Sequence, residues 1–215
     1  MFVAQNHMQF APDMLTQYLC ASTANWASQH IHYRGAWRLR TWAWKKQMQG
    51  VQKVGAGLLI NGPVYIDNRG QIEIGDHVEL RSSWHRPISI SVVDTQAHLQ
   101  IEDGVFINWG VSIGVAREVI IGALTLIADD CIIYDTDWHS MDGLDRNITP
   151  APTTIGRGVW LCARTVVLKG VTIGDNSVVA ANSVVTSSIP SNVLAAGAPA
   201  RVIRAIERKR YVGGV

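Results

Sequence analysis

The stretch TIGRGVWLCARTVVLKGVTIGDNSVVAANSVVTSSIP, residues 154–190, decides the fold of this 215-residue chain. An aliphatic residue recurs in it at every sixth position: Ile155, Leu161, Val167, Ile173, Val179 and Val185. A period of six is not the 3.6 of an α-helix, but it is a multiple of the two-residue period of a β-strand, so these side chains share one face. The stretch therefore predicts short strands joined by tight corners.

A second set of positions, four residues after each aliphatic one, carries small or β-branched side chains: Val159, Thr165, Val171, Ser177, Ser183 and Ile189. The six-residue step also occurs earlier, at Ile101, Ile107 and Ile113, at Ile121, Ile127 and Ile133, and more faintly at Ile60 and Ile66, then at Ile74 and Leu80. We expect each unit to form one side of a coil, with the aliphatic residue inside and the small residue at the corner. Stacked coils then form a prism.

Composition narrows the function classes. The chain is 47% hydrophobic and 17% charged with a net charge of +2, which is too balanced for a protein that coats nucleic acid. No apolar run approaches the length of about 18 residues that a membrane span needs, and the N-terminus is too polar for a secretory signal. Three cysteines without C-x-x-C spacing argue against a disulfide framework. We expect a cytoplasmic protein with reduced thiols.

The first 54 residues form a separate, basic segment. No acidic residue occurs between Met14 and Ile66. Apolar residues at helical spacing predict an amphipathic helix over Gly35–Gln49; they are Trp37, Trp44, Met48 and Val51. Two interpretations stay open: this helix caps the rest of the fold, or it rests on an anionic membrane surface, which would make the protein peripheral to the inner membrane.

Three segments resemble successive signatures of the hexapeptide-repeat acyltransferases, closest to the sugar and polysaccharide O-acetyltransferases. They are Ile155-Gly-Arg-Gly-Val-Trp160, Gly170-Val-Thr-Ile-Gly-Asp175 and Ala196-Gly-Ala-Pro-Ala-Arg-Val-Ile-Arg204. The resemblance covers about Leu58 to Ile206. It implies an all-β fold, a left-handed parallel β-helix over residues 55–199, which follows the N-terminal helical segment 1–54. A C-terminal capping helix, Arg201 to Tyr211, is expected within residues 200–215.

The repeat breaks after Ile133 and resumes at Thr154, so residues 140–153 are expected to leave the prism as a loop. His139 stands at the base of this loop, where the resembling family has its general base. An imidazole suits proton transfer near neutral pH. Asp135 and Asp137 either orient His139 or bind a sugar hydroxyl, or they form a turn through nearby backbone N–H groups. His85 is the rival candidate for the base.

The resemblance implies acetyl-CoA as the acyl donor. Trp160 would pack beside the pantetheine arm, and Ala163 and Ala181 would bind its amides. Thr186, Arg201 and Arg204 would reach the nucleotide end. The segment Thr186-Ser-Ser-Ile-Pro190 lacks a lysine that the family commonly has here. Asn108 resembles a residue that lies near the acceptor sugar.

We therefore predict an acetyl-CoA-dependent O-acetyltransferase that acts on a carbohydrate hydroxyl in bacterial surface polysaccharide synthesis. The family implies a homotrimer with the active site between neighbouring prisms. The alternatives are N-acetylation of an amino sugar, free or linked to a nucleotide, and a non-catalytic β-helix scaffold. We expect no metal, because the prism lacks the closely spaced histidine pair of a zinc site, and no nucleic acid partner. Cys162 is predicted to be a structural thiol.

Overall fold

The computed structural model describes Met48, Gly50–His139 and Thr149–Glu207, which lie in the second of the two units into which the chain divides, Thr41–Val215. The predicted helix Gly35–Gln49 falls outside the described residues except for Met48, which is buried. The first strand, Lys53–Val54, already pairs with the next coil, so the prism begins inside the segment that we assigned to residues 1–54.

The described residues form six coils of three strands each, followed by a hairpin. Coil 1 contains β1 (Lys53–Val54), β2 (Leu59–Asn61) and β3 (Val64–Asn68); coil 2 contains β4 (Gln71–Ile74), β5 (Glu79–Arg81) and β6 (Ile88–Val92). Coil 3 contains β7 (His98–Ile101), β8 (Phe106–Ile107) and β9 (Ser112–Val115); coil 4 contains β10 (Glu118–Ile121), β11 (Leu126–Ile127) and β12 (Ile132–Tyr134). Coil 5 contains β13 (Thr153–Ile155), β14 (Trp160–Leu161) and β15 (Val166–Val167); coil 6 contains β16 (Thr172–Ile173), β17 (Val178–Val179) and β18 (Val184–Val185). The hairpin consists of β19 (Val193–Gly197) and β20 (Ala200–Ala205).

Equivalent strands of successive coils pair in parallel and build three sheets. Sheet 1 is β1-β4-β7-β10-β13-β16, sheet 2 is β2-β5-β8-β11-β14-β17-β19-β20, and sheet 3 is β3-β6-β9-β12-β15-β18. We name the corners by the sheets that they join, in chain order: corner 1–2, corner 2–3 and corner 3–1. The predicted stacking of short strands is confirmed.

The residues of the six-residue step fill the core. Ile127, for example, pairs with Ile107 and Leu161 in sheet 2, and all three are fully buried. Burial of each such side chain is worth about 1.5–3 kcal/mol. The small residues of the second set are buried at the corners, and those with hydroxyls are hydrogen-bonded: Thr165 Oγ1 donates to Cys162 O (2.7 Å) and Ser177 Oγ to Pro190 O (2.7 Å). These contacts explain how polar side chains fit inside the prism.

Corners 1–2 and 2–3 turn through residues in the left-handed backbone region. Besides glycines they include Leu124 (φ 60°), Asp130 (φ 56°) and Arg164 (φ 59°). Each of these residues donates its backbone N–H to a carbonyl of the preceding coil, as Arg164 does to Asp129 O (2.8 Å). These hydrogen bonds between the corners of successive coils compensate for backbone conformations that are uncommon in non-glycine residues.

The prediction of a helix from Arg201 is wrong for the described part of that segment. Ala200–Ala205 is strand β20, which folds back against β19 as the only antiparallel pair among the described strands. The β-branched neighbours Val202 and Ile203 favour a strand. Residues 208–215, which include the end of the predicted helix, lie outside the described residues.

Candidate active site at the base of the protruding loop

The segment predicted to protrude as a loop belongs to corner 3–1, between β12 of coil 4 and β13 of coil 5. After β12 the chain is described as far as His139, then again from Thr149, and β13 starts at Thr153, the last residue of the predicted loop. Ala151 N donates to Asp135 O (2.9 Å), and Gly170 N donates to Ala151 O (3.1 Å). These bonds fasten the two ends of the loop to each other and to coil 5.

Asp135 is fully buried, and its carboxylate is used by the backbone. Its Oδ1 accepts the N–H of Ala116, and its Oδ2 accepts those of Arg117 and Glu118, all at 2.7 Å. Burial raises the pKa of Asp135, and the three N–H donors oppose that shift. Of the three roles left open by the sequence, this geometry favours the turn, because Asp135 fixes corner 3–1 after coil 3 through Ala116, Arg117 and Glu118.

Asp137 is exposed and forms an ion pair with Lys169 of coil 5. The Lys169 ammonium also donates to the carbonyl of Thr149 (3.1 Å), where the chain comes back from the loop. Lys169 therefore connects the segment before the loop with the segment after it.

Trp138 and His139 form a tight turn with Asp137. The backbone N–H of His139 donates to Asp137 O (2.7 Å), and Trp138 between them has a φ of 63°. This i→i+2 bond with a positive central φ defines a γ-turn of the rare, strained kind. The turn leaves the side chain of His139 exposed at the corner.

Gly114 of coil 3 leaves room for the aromatic rings of Trp138 and Tyr134. A Cβ at this position would lie closer to Trp138 Cζ2 than real Cβ contacts allow, and only 2.8 Å from Tyr134 Cδ1. The two rings meet edge to face at 5.5 Å, and the Tyr134 hydroxyl is hydrogen-bonded to Ser112 Oγ (2.9 Å). The Trp138 ring, packed against Gly114 and Tyr134, thus supports the turn that carries His139.

Most of the predicted site residues lie at two corners of the prism. His139 and Thr186 follow strands of sheet 3, at corner 3–1, and Thr186 is exposed. Asn108, Ala163 and Ala181 precede strands of sheet 3, at corner 2–3. Within one prism the strands of sheet 3 therefore separate the two groups.

The remaining predicted residues lie on sheet 2. Trp160 is half-buried on β14, between Leu126 and Val178 of the neighbouring coils. Arg201 and Arg204 are exposed on β20, and the hydrogen bonds described for their side chains go to the carbonyls of Ala200 and Ala205. Trp160 and the two arginines thus lie on one sheet, on its fifth strand, β14, and its last strand, β20.

Corner 2–3 carries a charged and aromatic cluster around Arg86. Its guanidinium pairs with Asp130 (2.6 Å) and Asp129 (3.1 Å) and lies 5.8 Å from the centroid of the Trp109 ring. The hydrogen bond to Asp130 raises the pKa of Arg86. The neighbouring Asn108 has a buried Oδ1 without a hydrogen-bond partner among the described residues. The described residues of this corner therefore leave one buried polar atom unsatisfied.

His85, the rival base, is exposed in the turn Ser83–Arg86 at corner 2–3, whereas His139 lies at corner 3–1. Both described cysteines are thiols: Cys131 is buried, and burial raises its pKa to about 12, while Cys162 is half-buried. Among the described residues no group of three or more His, Cys, Asp or Glu side chains could hold a metal ion. None of the described segments is a helix with the length and hydrophobicity to cross a bilayer.

Sequence reasoning missed the residues that hold His139 in place: Lys169, Trp138, Tyr134 and Gly114. The coil spacing contained a signal for two of them, because the core step that pairs Ile113 with Ile133 also pairs Gly114 with Tyr134. Lys169 gave no local signal, since its partner Asp137 lies 32 positions earlier in the chain.

Residues 152–187 match the family described as bacterial transferase hexapeptide (six repeats). The galactoside O-acetyltransferase of Escherichia coli is 40% identical over 112 residues, which are 51% of this chain and 55% of that protein. The chain thus spans little more than half the length of that relative.

Two further proteins match over a longer part. WbbJ of Escherichia coli, provisionally named a lipopolysaccharide biosynthesis O-acetyl transferase, is 34% identical over 162 residues, or 68% of this chain and 78% of WbbJ. The hexapeptide-repeat acetyltransferase VCA0836 of Vibrio cholerae, solved with acetyl coenzyme A, superimposes with a TM-score of 0.55 at 28% identity, covering 75% of each chain. The resemblance inferred from the signatures is confirmed: this chain belongs to the hexapeptide-repeat family of bacterial transferases.

Proposed function

We propose that the protein is an acetyl-CoA-dependent O-acetyltransferase that modifies a carbohydrate hydroxyl in the synthesis of a bacterial surface polysaccharide. The observation that carries the proposal is His139, an exposed imidazole on a backbone that is fixed to the prism at the base of the loop. A general base needs this combination, because its ring must reach the acceptor while its position stays defined. The names of the galactoside and lipopolysaccharide relatives support a carbohydrate acceptor.

In this reaction His139 accepts the proton of the acceptor hydroxyl as its oxygen attacks the thioester carbonyl. The oxygen–carbon bond forms, the carbon–sulfur bond breaks, and the imidazolium returns the proton to the departing thiolate. The protein contributes orientation and proton transfer, and no covalent enzyme intermediate is required.

The acyl donor fits the surface along corner 2–3. Ala163 and Ala181 lie above one another on coils 5 and 6, where Asn182 N donates to Ala163 O (3.0 Å). Side chains no larger than a methyl group leave room for a pantetheine arm to approach the backbone. Trp160 would flank the arm, and Arg201 and Arg204 would bind the phosphates of the nucleotide. Thr186, which lies at corner 3–1, would reach the nucleotide bound along corner 2–3 of an adjacent prism.

The two corners require a shared site. Because His139 lies at corner 3–1 and the donor groove at corner 2–3, we propose a homotrimer of left-handed β-helices in which each active site combines the two corners of adjacent prisms. Asn108, at corner 2–3 of coil 3, would then lie near the acceptor opposite a neighbour's His139. Cyclic symmetry gives one such site for each interface.

The first experiment measures acetyl-CoA consumption against sugars, amino sugars and nucleotide sugars. His139→Ala should lower turnover by about 10² or more and leave acetyl-CoA binding nearly unchanged, as for loss of a general base. Turnover on amines alone would replace the O-acceptor by the N-acceptor. Near-normal turnover of the variant would reject His139 as the base, and an active site around His85 would be tested next. No turnover by the wild type on any acceptor would favour the scaffold.

A second experiment tests the shared site by coexpressing two inactive variants, His139→Ala and Ala181→Trp, with different tags. If each site combines two subunits, random mixing in a cyclic oligomer restores about a quarter of the sites. Activity that stays at the level of the separate variants in the mixed oligomer would contradict a site between subunits.

A further inference from the structure

The turn that presents His139 is strained and is held from both sides. Trp138 has a φ of 63°, which is rare for a large side chain. Such conformations persist only where the surroundings over-determine them, and they cluster at functional sites. The contacts around Trp138 therefore indicate what the fold uses to hold His139.

One side of the turn rests on coil 3. The Trp138 ring lies over Gly114 and against Tyr134, and the Tyr134 hydroxyl is tied to Ser112. The backbone N–H of Trp138 also donates to the buried Thr136 Oγ1 (3.2 Å). These contacts fix the height of the turn on the prism.

The other side is held from coil 5 by the Lys169 side chain. Its ammonium reaches the Asp137 carboxylate, whose own backbone carbonyl accepts the N–H of His139, and the Thr149 carbonyl beyond the loop. About a third of each charged side chain is exposed, 32% for Lys169 and 36% for Asp137, so the pair is partly shielded from water. An ammonium with three donors can hold both groups together.

We propose that Lys169 is a positioning residue for the reaction: through Asp137 it holds the strained turn that places His139, and it closes the base of the protruding loop. The inference rests on the proposed role of His139 as the base. Lys169 does not need to touch either substrate for this role. Its loss displaces the imidazole, and a displacement of about 1 Å can lower a rate by about 10².

The test compares Lys169→Met with Lys169→Arg and with a matched control, Lys53→Met. Lys53 also pairs with a carboxylate, Glu73 (3.9 Å), but on coil 1. We expect Lys169→Met to lower kcat by about 10- to 100-fold with the KM for acetyl-CoA within about twofold, because positioning acts on the transition state. Lys169→Arg should recover most of kcat, and Lys53→Met should equal the wild type. Thermal unfolding of all three variants shows whether they fold normally.

A double variant tests whether Lys169 acts through Asp137. If it does, the double variant Lys169→Met/Asp137→Asn should have a kcat no lower than that of the less active single variant, because both changes break the same interaction. Losses that multiply, or a Lys169→Met variant as active as Lys53→Met, would overturn the inference. His139→Ala is measured in the same assay. If it loses activity while Lys169→Met keeps it, only the positioning role fails; if it stays active, the proposed base fails.

Gly114→Ala gives an independent test from the opposite side. The added methyl group would collide with the Trp138 and Tyr134 rings. We expect the same pattern, a lower kcat with little change in KM. A variant that folds and keeps full kcat would show that the position of the turn does not matter for turnover, and would overturn the inference.

Discussion

Replacement of Asp135 by asparagine tests how corner 3–1 is built. Asparagine has nearly the same shape, but its NH₂ group cannot accept a hydrogen bond. At best its oxygen accepts the N–H groups of Arg117 and Glu118, and the NH₂ group then faces the N–H of Ala116. One donor loses its partner and two charge-assisted bonds become neutral.

The expected destabilisation follows from those three bonds. An unsatisfied buried donor costs about 1–3 kcal/mol, and a hydrogen bond to a charged group is worth roughly 1 kcal/mol more than a neutral one. Relief from burying a charge offsets part of the sum. We expect the free energy of unfolding to fall by roughly 2–4 kcal/mol, which lowers the Tm of a chain of this size by about 4–16 °C.

Calorimetry and urea titration at one fixed protein concentration measure the change, since assembly makes stability depend on concentration. Asp137→Asn is the matched control: it lies two positions away, is exposed, and pairs with one lysine at the surface, so it should cost about 1 kcal/mol or less. Equal stability of the two variants would refute the structural role of the buried carboxylate.

Two further changes probe the core and the thiols. Ile127→Ala should lower the free energy of unfolding by about 2–5 kcal/mol because it leaves a cavity between coils. Leu126→Ala, at the half-buried neighbouring position, should lower it by less than half as much. Equal losses in urea titration would contradict the alternation of inward and outward side chains along β11. Burial raises the pKa of Cys131 to about 12 from an ordinary 9.0. Because the thiolate is the reacting form, Cys131 should react with iodoacetamide about 10³-fold more slowly in the native protein than in urea. Peptide mass spectrometry measures both rates, and comparable rates would show that the thiol is not buried.

The sequence was sufficient for the prism because the periodic residues act locally and repeatedly. Every aliphatic residue of the step from Ile74 onward is buried in the structure, and the small residues after them lie buried at corners. The end of the chain was harder to predict. The helix expected from Arg201 came from the resemblance, while the β-branched pair Val202 and Ile203 and the return turn at Gly197–Pro199 favour the observed hairpin.

The site was only partly predictable for a different reason. His139 and its loop follow from the break in the repeat, but the contacts around them join residues of different coils, such as Lys169 with Asp137. Pairs of this kind depend on side-chain reach across the stack, which no local pattern encodes. The role of Asp135 also depended on burial, since an exposed aspartate at the same position could have bound a ligand.

The position of corner 3–1 of coil 4 within the stack has a consequence for how the length of the protein can vary. Three complete coils precede coil 4, and coils 5 and 6 with the terminal hairpin follow it. In an architecture where each repeat contacts only its neighbours, fraying at either tip has to pass through whole repeats before it reaches the middle. Lengthening or trimming the stack at its N-terminal tip by one full turn would thus leave the surroundings of the imidazole and the proposed donor groove as they are, so that such proteins can vary in length at that tip while their chemistry stays in place.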